Sequence, residues 1–286
     1  MTFSYLITTI DKTEEQILSI VSKANVKGIV FVGNQNSESY SEKLIIDQNI
    51  EIHIFNIPGK GVSKNRNLLL SKANSDYVTF LDDDVSFLND SQRTMEEMVE
   101  HTSNKFDAHR FNSLSINDRR PIKQIEKNGT VKMIELRNFG VWGIYFNRTF
   151  LMKNSLFFDE NVGPGSIINH GEDFLFMKDY LKKNKIYQHN YCGFSIEQKD
   201  STWTGKNRDV IRELFSHGFL YKRSFGFFWR QFLFVHFLKH KELYKDYWKQ
   251  KYKICEKGAK YYLITKKNKN IDKEHLYNEL TRGFYE

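Results

Sequence analysis

Apolar and polar residues in the first half of the chain follow two alternating rhythms. Tyr5-Leu6-Ile7-Thr8-Thr9-Ile10 reads as a buried strand. Thr13 with Gln16 predicts a capping box. Ile17, Leu18, Ile20, Val21 and Ala24 then recur at helical spacing, and Gly28 can end that helix. Ile29-Val30-Phe31-Val32 reads as a second strand, stopped by Gly33-Asn34, and Ile50 to Phe55 alternates as a third. Ser63 to Ala73 reads as a helix whose apolar face comes from Leu68, Leu69 and Leu70. Tyr77-Val78-Thr79-Phe80-Leu81 is a fourth strand, and it runs straight into Asp82-Asp83-Asp84.

Strands separated by helices imply an α/β fold with a mainly parallel sheet flanked by helices. Ligands of such sheets bind beyond the C-terminal strand ends. Thr8-Thr9, Gly33-Asn34-Gln35 and Asp82-Asp83-Asp84 all fall at such ends, so three polar clusters are expected on one rim. Further along, Ser91 to His101 reads as a helix. Val131 to Leu136 and Val141 to Phe146 read as strands joined by Arg137-Asn138-Phe139-Gly140. Glu172 to Lys183 reads as a helix, preceded by the loop Gly163-Pro164-Gly165-Ser166. Beyond Thr204 the pattern is helical and aromatic. The expected division is a catalytic domain over residues 1–204, with halves 1–90 and 91–204, and a helical extension over 205–286.

Composition adds limits. The 286 residues are 40% hydrophobic and 27% charged, enough for a sizeable core. Cys192 and Cys255 lack metal-ligand spacing and are too few for a disulfide framework, which suits reduced thiols in a cytoplasmic protein. No secretory signal is expected, and no apolar run reaches the roughly 18 residues that span a bilayer. The net charge of +8 is unevenly placed. From Trp203 onward, 19 Lys and Arg face 9 Asp and Glu, whereas residues 1–202 carry a slight acidic excess. A basic groove for nucleic acid in the main domain is therefore excluded, and the basic tail points to an anionic surface.

Three segments can carry chemistry. Packing Asp82, Asp83 and Asp84 together costs free energy through repulsion, and a hard cation such as Mg²⁺ or Mn²⁺ offsets it. A solvated acidic turn explains the same residues. Gly59-Lys60-Gly61-Val62-Ser63-Lys64-Asn65-Arg66-Asn67 opens a helix with glycine turns and free N–H groups suited to phosphate. Arg66 can bind an anion, or pair with a nearby acid. Glu172 and Asp173 stand in a first helical turn, where acids are favoured by the helix dipole and where one can also serve as a general base. Trp142 and Gly143 form a candidate wall for a sugar, or an aromatic core residue beside a bulge glycine.

The stretch GKGVSKNRNLLLSKANSDYVTFLDDDVSF resembles the nucleotide-binding half of glycosyltransferase family 2, and FFDENVGPGSIINHGEDFLF resembles its acceptor half. The resemblance spans roughly residues 3–205. It implies the GT-A fold, a nucleoside-diphosphate sugar donor (UDP-linked by expectation), a divalent metal and inversion at the anomeric carbon. It implies an acceptor hydroxyl on a glycan or a lipid-linked molecule, in surface polysaccharide synthesis. Residue by residue, Asp82 and Asp84 match the metal positions and Asp83 lies near the donor ribose or sugar. Asp173 matches the catalytic base, and Glu172 an acceptor or sugar contact. Ser63 and Arg66 fall on the donor side, Thr8 and Thr9 on the first-strand rim, and Trp142, Gly143 and Gly165 on the acceptor side.

The chain departs from the family pattern twice. Asn34 and Gln35 stand where an Asp commonly meets the base, and either can hydrogen-bond a uracil edge. No His follows the catalytic helix, leaving Glu197 or Gln198 as replacements. A competing resemblance is Asp82-x-Asp84-x-Ser86, similar to the nucleophile loop of haloacid-dehalogenase phosphatases. That loop sits on their first strand, whereas three strands precede it here. A non-catalytic sugar or nucleotide binder of the same fold is the third reading.

In the C-terminal third, Phe225 to Leu238 is the most apolar stretch, interrupted by Arg230 and His236. Lysines follow, interleaved with Tyr244, Tyr247, Trp248, Tyr252, Tyr261 and Tyr262. That mixture is expected of a helix lying on an anionic membrane, or of a helical subdomain packed on the core or on a second subunit in a homo-oligomer.

Overall fold

The computed structural model describes residues 1–47, 49–116, 123–197, 209–244 and 246–284. They form two compact units. Among the described residues, the first holds 1–160 and 172–197, and the second holds 161–171 and 209–284.

The first unit begins with β1 (Phe3–Ile10), α1 (Glu14–Ala24), β2 (Gly28–Ser37), β3 (Ser41–Asp47), β4 (Ile50–Pro58), α2 (Val62–Lys72) and β5 (Tyr77–Asp82). It continues through β6 (Val85–Phe87), α3 (Ser91–Thr102), β7 (Ala108–Ser115), β8 (Gly129–Thr130) and a 3-10 turn (Met133–Asn138). β9 (Ile144–Asn147), α4 (Arg148–Lys153), α5 (Glu172–Leu181) and β10 (Tyr187–Ile196) complete it. The strand order is β3-β4-β2-β1-β5-β9-β7-β10-β6, with β8 on β10.

β4, β2, β1 and β5 run parallel, as the strand–helix alternation requires. Antiparallel pairing enters where β9 inserts between β5 and β7. The sheet is therefore mixed. Tyr5 and Ile7 face α1 and α3, packing with Ile17, Val21, Met95 and Val99. Leu6 and Phe80 face α2 and α5, packing with Leu69, Leu70, Phe176 and Met177. Because both faces are covered, these strands read as continuous apolar runs.

Several elements differ from the pattern-based expectation. Residues 133–138 form a 3-10 turn, not a strand. Glu135 turns back to accept from the Lys132 backbone N–H at 2.7 Å, and its own N–H donates to the Lys132 carbonyl at 2.9 Å. A short apolar run cannot by itself separate strand from helix. α1 ends at Asn25 in the left-handed region, while Gly28 opens β2. β2 continues through Gly33-Asn34 to Ser37. Strands β7 and β10 were hidden by buried polar residues, among them His109, Arg110, Asn112 and His189.

The second unit contains α6 (Val210–Phe225), a 3-10 turn (Gly226–Phe228), α7 (Trp229–Lys239), α8 (Lys241–Tyr244), α9 (Trp248–Lys267) and α10 (Lys273–Thr281). α6 and α9 meet backbone to backbone. A Cβ on Gly218 would run into the Cys255 carbonyl, and one on Gly258 into that of Phe215. The loop 161–171, expected in the 91–204 half of the catalytic domain, groups with these helices instead. Its Asn169 N–H donates to Ser216 Oγ at 3.1 Å, His170 Nε2 lies 3.1 Å from His217 Nδ1, and Lys273 donates to Asn161 Oδ1 at 2.6 Å. Among the described residues, no helix is long and apolar enough to cross a membrane.

Candidate active site

The rim at the C-terminal ends of β1, β2 and β5 is built in register. Thr8 stands between Gly33 and Asp82, and Thr9 beside Asn34. Thr9 Oγ1 donates to Asp83 Oδ2 at 3.0 Å, tying the first strand to the acidic turn. Thr8, Thr9, Asn34 and Gln35 are all buried.

α2 anchors this rim through three successive residues. Asn65 Nδ2 donates to the Gly33 carbonyl at 2.8 Å, an approach possible only because a Cβ on Gly33 would strike the Asn65 side chain. Asn67 exchanges two hydrogen bonds with the Phe158 backbone, at 2.9 and 2.8 Å. Between them, Arg66 is 3% exposed and faces the acids of both motifs. One guanidinium nitrogen donates to Asp82 Oδ1 at 2.9 Å. The other donates to Asp173 Oδ1 at 2.7 Å and to Glu172 Oε1 at 3.4 Å. The guanidinium lies 5.2 Å from the Phe158 ring centre, and Phe158 stacks on Phe176 at 4.2 Å. Burial favours losing the Arg66 proton, but Asp173, Asp82 and Glu172 outweigh it and hold the cation more firmly than usual. Arg66 is thus engaged with acids of its own chain, the alternative to the phosphate contact. Ser63, one turn earlier on α2, is fully buried.

The acids answer to the same field. Burial raises Asp173 above the ordinary carboxylate range, although Arg66 opposes the shift. Its second oxygen accepts from the Val141 N–H at 3.2 Å. Burial, with Asp173 beside it, pushes Glu172 up to about 7. Burial also pushes Asp84 up to about 7, helped by Asp82, Asp83 and Glu197. The Glu197 N–H donates to the Asp84 carbonyl at 3.0 Å, so Glu197 lies beside the acidic turn. Gln198 lies outside the described residues. Among the described residues, no three His, Cys, Asp or Glu side chains already converge to hold a metal ion. The donor set nevertheless suits one: a partly buried Asp84 whose neighbours Asp82, Asp83 and Glu197 are acidic favours a hard cation, and Mg²⁺ takes one or two carboxylates plus phosphate oxygens.

Other expected contacts move. The Asn34 side chain bonds the Lys12 backbone at both ends and donates to Asn56 Oδ1 at 3.0 Å, so its amide is used inside the protein. Gln35 accepts from the Gly61 N–H at 2.7 Å and holds the glycine turn before α2. Trp142 is half-buried. Gly143 is buried, not open to a sugar. Its φ of 75° calls for glycine, and a Cβ there would pack on Phe194. The glycine at the acids is Gly140, in the connector before Val141. A Cβ on it would come within 2.7 Å of Asp173 Oδ2 and 2.6 Å of Trp142 Nε1. Gly165 lies in the second unit, in the turn closed by the Ser166 N–H to the Gly163 carbonyl at 3.0 Å.

A mixed sheet flanked by helices, with an acidic turn after its central strand and a buried cation joining that turn to a second acid pair, defines a GT-A architecture. The same fold is found in S. aureus TarS 1-349 bound to UDP-GlcNAc, with TM-score 0.57 and 17% identity over 77% of this chain and 66% of that one. The complex of TarS 1-349 with UDP matches with TM-score 0.54 and 16% identity over 100% of this chain and 91% of that one. A search of the curated proteins finds no match. The family model for glycosyl transferase family 2 matches residues 3–183, and the chain belongs to that family. Membership sets aside the phosphatase reading of Asp82-x-Asp84-x-Ser86.

Proposed function

We propose that this protein moves a sugar from a nucleoside-diphosphate sugar to a hydroxyl of a glycan or lipid-linked acceptor, with inversion, in surface polysaccharide synthesis. The observation that carries this reading is Arg66, buried between Asp82 of the donor motif and Glu172-Asp173 of the acceptor motif. Family membership supports the reaction class. The UDP and UDP-GlcNAc held by the similar TarS structures make a UDP-sugar the first donor to test.

In this reading Asp173 accepts the proton of the acceptor hydroxyl. The hydroxyl oxygen bonds the anomeric carbon as the bond to the diphosphate breaks, and the electron pair leaves with the nucleotide. One displacement needs one base and no protein nucleophile. Arg66 and the Val141 N–H hold the two Asp173 oxygens, so the carboxylate is oriented before the acceptor arrives. Asp82 and Asp84 are the residues that would hold Mn²⁺ or Mg²⁺, which when bound offsets charge on the leaving diphosphate. Trp142 and Gly140 form the acceptor side beside Asp173.

Thermal shift against UDP, GDP and CDP, each with and without Mn²⁺, tests the donor side. Metal-dependent stabilisation, largest with UDP, is expected. If no nucleoside diphosphate shifts the melt with either metal, the donor reading fails. Released UDP measured across a panel of UDP-sugars then separates an enzyme from a non-catalytic binder.

A further inference from the structure

α7 is apolar on two opposite faces. Trp229, Leu233 and Phe237 recur every four residues and are buried, with Phe237 stacked on Tyr244 at 4.3 Å. The opposite face carries Phe234, Val235 and Leu238, all exposed, with Phe232 at its margin. The turn before the helix adds Phe227, 83% exposed, and Phe228. Downstream, Tyr247 and Trp248 are also exposed, and the neighbouring turn of α9 packs on α7 through Tyr252 and Phe237 at 5.8 Å. A helix apolar all round is ordinarily covered on every side. Single exposed apolar residues need no explanation, but this cluster on one helix and its flanks does.

The charge around the patch indicates what covers it. From Lys222 to Lys257 the chain carries ten Lys or Arg and three acids. Arg230, Lys239, Lys241, Lys249 and Lys253 are exposed. Arg230 meets Glu256 at 3.1 Å and lies over Trp229, and Lys239 closes the exposed face of α7. A second copy of this unit would bring the same positive charge against itself. An anionic lipid surface supplies the opposite charge, together with an apolar layer for the phenylalanines and an interfacial zone for Tyr247 and Trp248.

We infer that the 3-10 turn Gly226–Phe228, α7 and the start of α9 form a peripheral docking surface for an anionic bilayer. The phenylalanines enter the acyl boundary, and the lysines meet the headgroups. This does not depend on which sugar or acceptor the first unit uses.

The test is co-sedimentation of the full chain with vesicles of phosphatidylcholine alone or of phosphatidylcholine and phosphatidylglycerol in equal parts, at low and high salt. The wild type is expected to pellet with the anionic vesicles and to release as salt rises. The triple variant Phe228→Ser/Phe234→Ser/Leu238→Ser should lose at least about tenfold in partitioning, because each lost apolar side chain removes part of the buried area. All three side chains are exposed, so an unchanged melting temperature is expected and reports that the fold is kept. The inference is overturned if the wild type ignores anionic vesicles at low salt, or if the folded triple variant binds them as the wild type does. It is equally overturned if light scattering shows a dimer that the triple variant dissolves, since a second copy would then be the occupant. No donor or acceptor enters these readouts, so their failure is separate from failure of the proposed transfer reaction.

Discussion

The two acidic segments of the first unit differ in one physical respect. Glu172-Asp173 is largely withdrawn from solvent and shares a buried guanidinium that lies over the Phe158 ring. Asp82-Asp83-Asp84 turns outward at the end of β5, and only its first member reaches Arg66. Asp84, pressed by Asp82, Asp83 and Glu197, has acids for neighbours. One segment is bonded throughout to a cation of the chain's own, the other only at its first residue. In the proposed reaction the first suits a base that must be fixed before substrate arrives. The outward segment suits a cation that arrives with the donor. Two clusters of carboxylates, alike in sequence, would then divide donor and proton chemistry between them.

The largest expected effect breaks that division at its base. Asp173→Asn should lower kcat by about 10²- to 10⁴-fold, the usual range for a lost general base. UDP binding, followed by thermal shift, should change little. Near-normal turnover in steady-state kinetics would remove Asp173 from the role. Next comes the shared cation. Arg66→Met leaves Asp82, Glu172 and Asp173 without their buried partner, and breaking such a pair costs about 3–5 kcal/mol. Urea unfolding should show a loss of that order, whereas an unchanged midpoint would mean that the acids are compensated elsewhere. On the outward side, Asp84→Asn should weaken the Mn²⁺-dependent part of UDP stabilisation by about 10- to 100-fold in metal affinity, while metal-free stability above pH 7 rises, because burial and the neighbouring acids resist the Asp84 charge.

The donor half was readable because its strands are covered on both faces. Tyr5-Leu6-Ile7 in β1 and Val78, Phe80 and Leu81 in β5 are buried in the core from both faces, and Thr13 with Gln16 forms the capping box its spacing predicts. The other half was less readable because β7 and β10 bury polar side chains. His109 and His189, 3.3 Å apart, interrupt the alternation that marks a strand. Within the site, the pairing of Arg66 with two distant motifs was open from sequence, since an arginine opening a helix suits phosphate equally well. Gly140 carries no signal in the sequence, and its φ is ordinary for any residue. Its requirement comes from Trp142 and Asp173, which only the folded chain brings against it. Gly143 was noticed because it is a glycine beside a tryptophan, yet its left-handed φ serves the bend into β9 and not an open wall.

The smallest of these effects is the most discriminating. Glu172 and Asp173 meet the same Arg66 nitrogen, at 3.4 and 2.7 Å, and ionised Asp173 resists ionisation of Glu172. Glu172 moves from an ordinary value of 4.5 to about 7 on folding. Between those values the folded state holds a proton that the unfolded state has lost. This residue's contribution to stability therefore falls as pH rises from 4.5 to 7, and the cost is fully present above 7. Glu172→Gln removes the titration. Relative to wild type, the variant should gain stability above pH 7 and lose that advantage toward pH 4.5. Because Glu172 keeps its proton up to about 7, glutamine stands in for the neutral acid and leaves Asp173 in the same charge environment below that pH. The rising limb of kcat/KM against pH should therefore stay in place while the stability profile changes. A limb that stays in place, with the stability change intact, would make Glu172 a stability element only and leave Asp173 tuned by Arg66, Asp82 and burial. A limb that moves while stability does not would mean that the two acids are coupled through the acceptor rather than through the guanidinium they share.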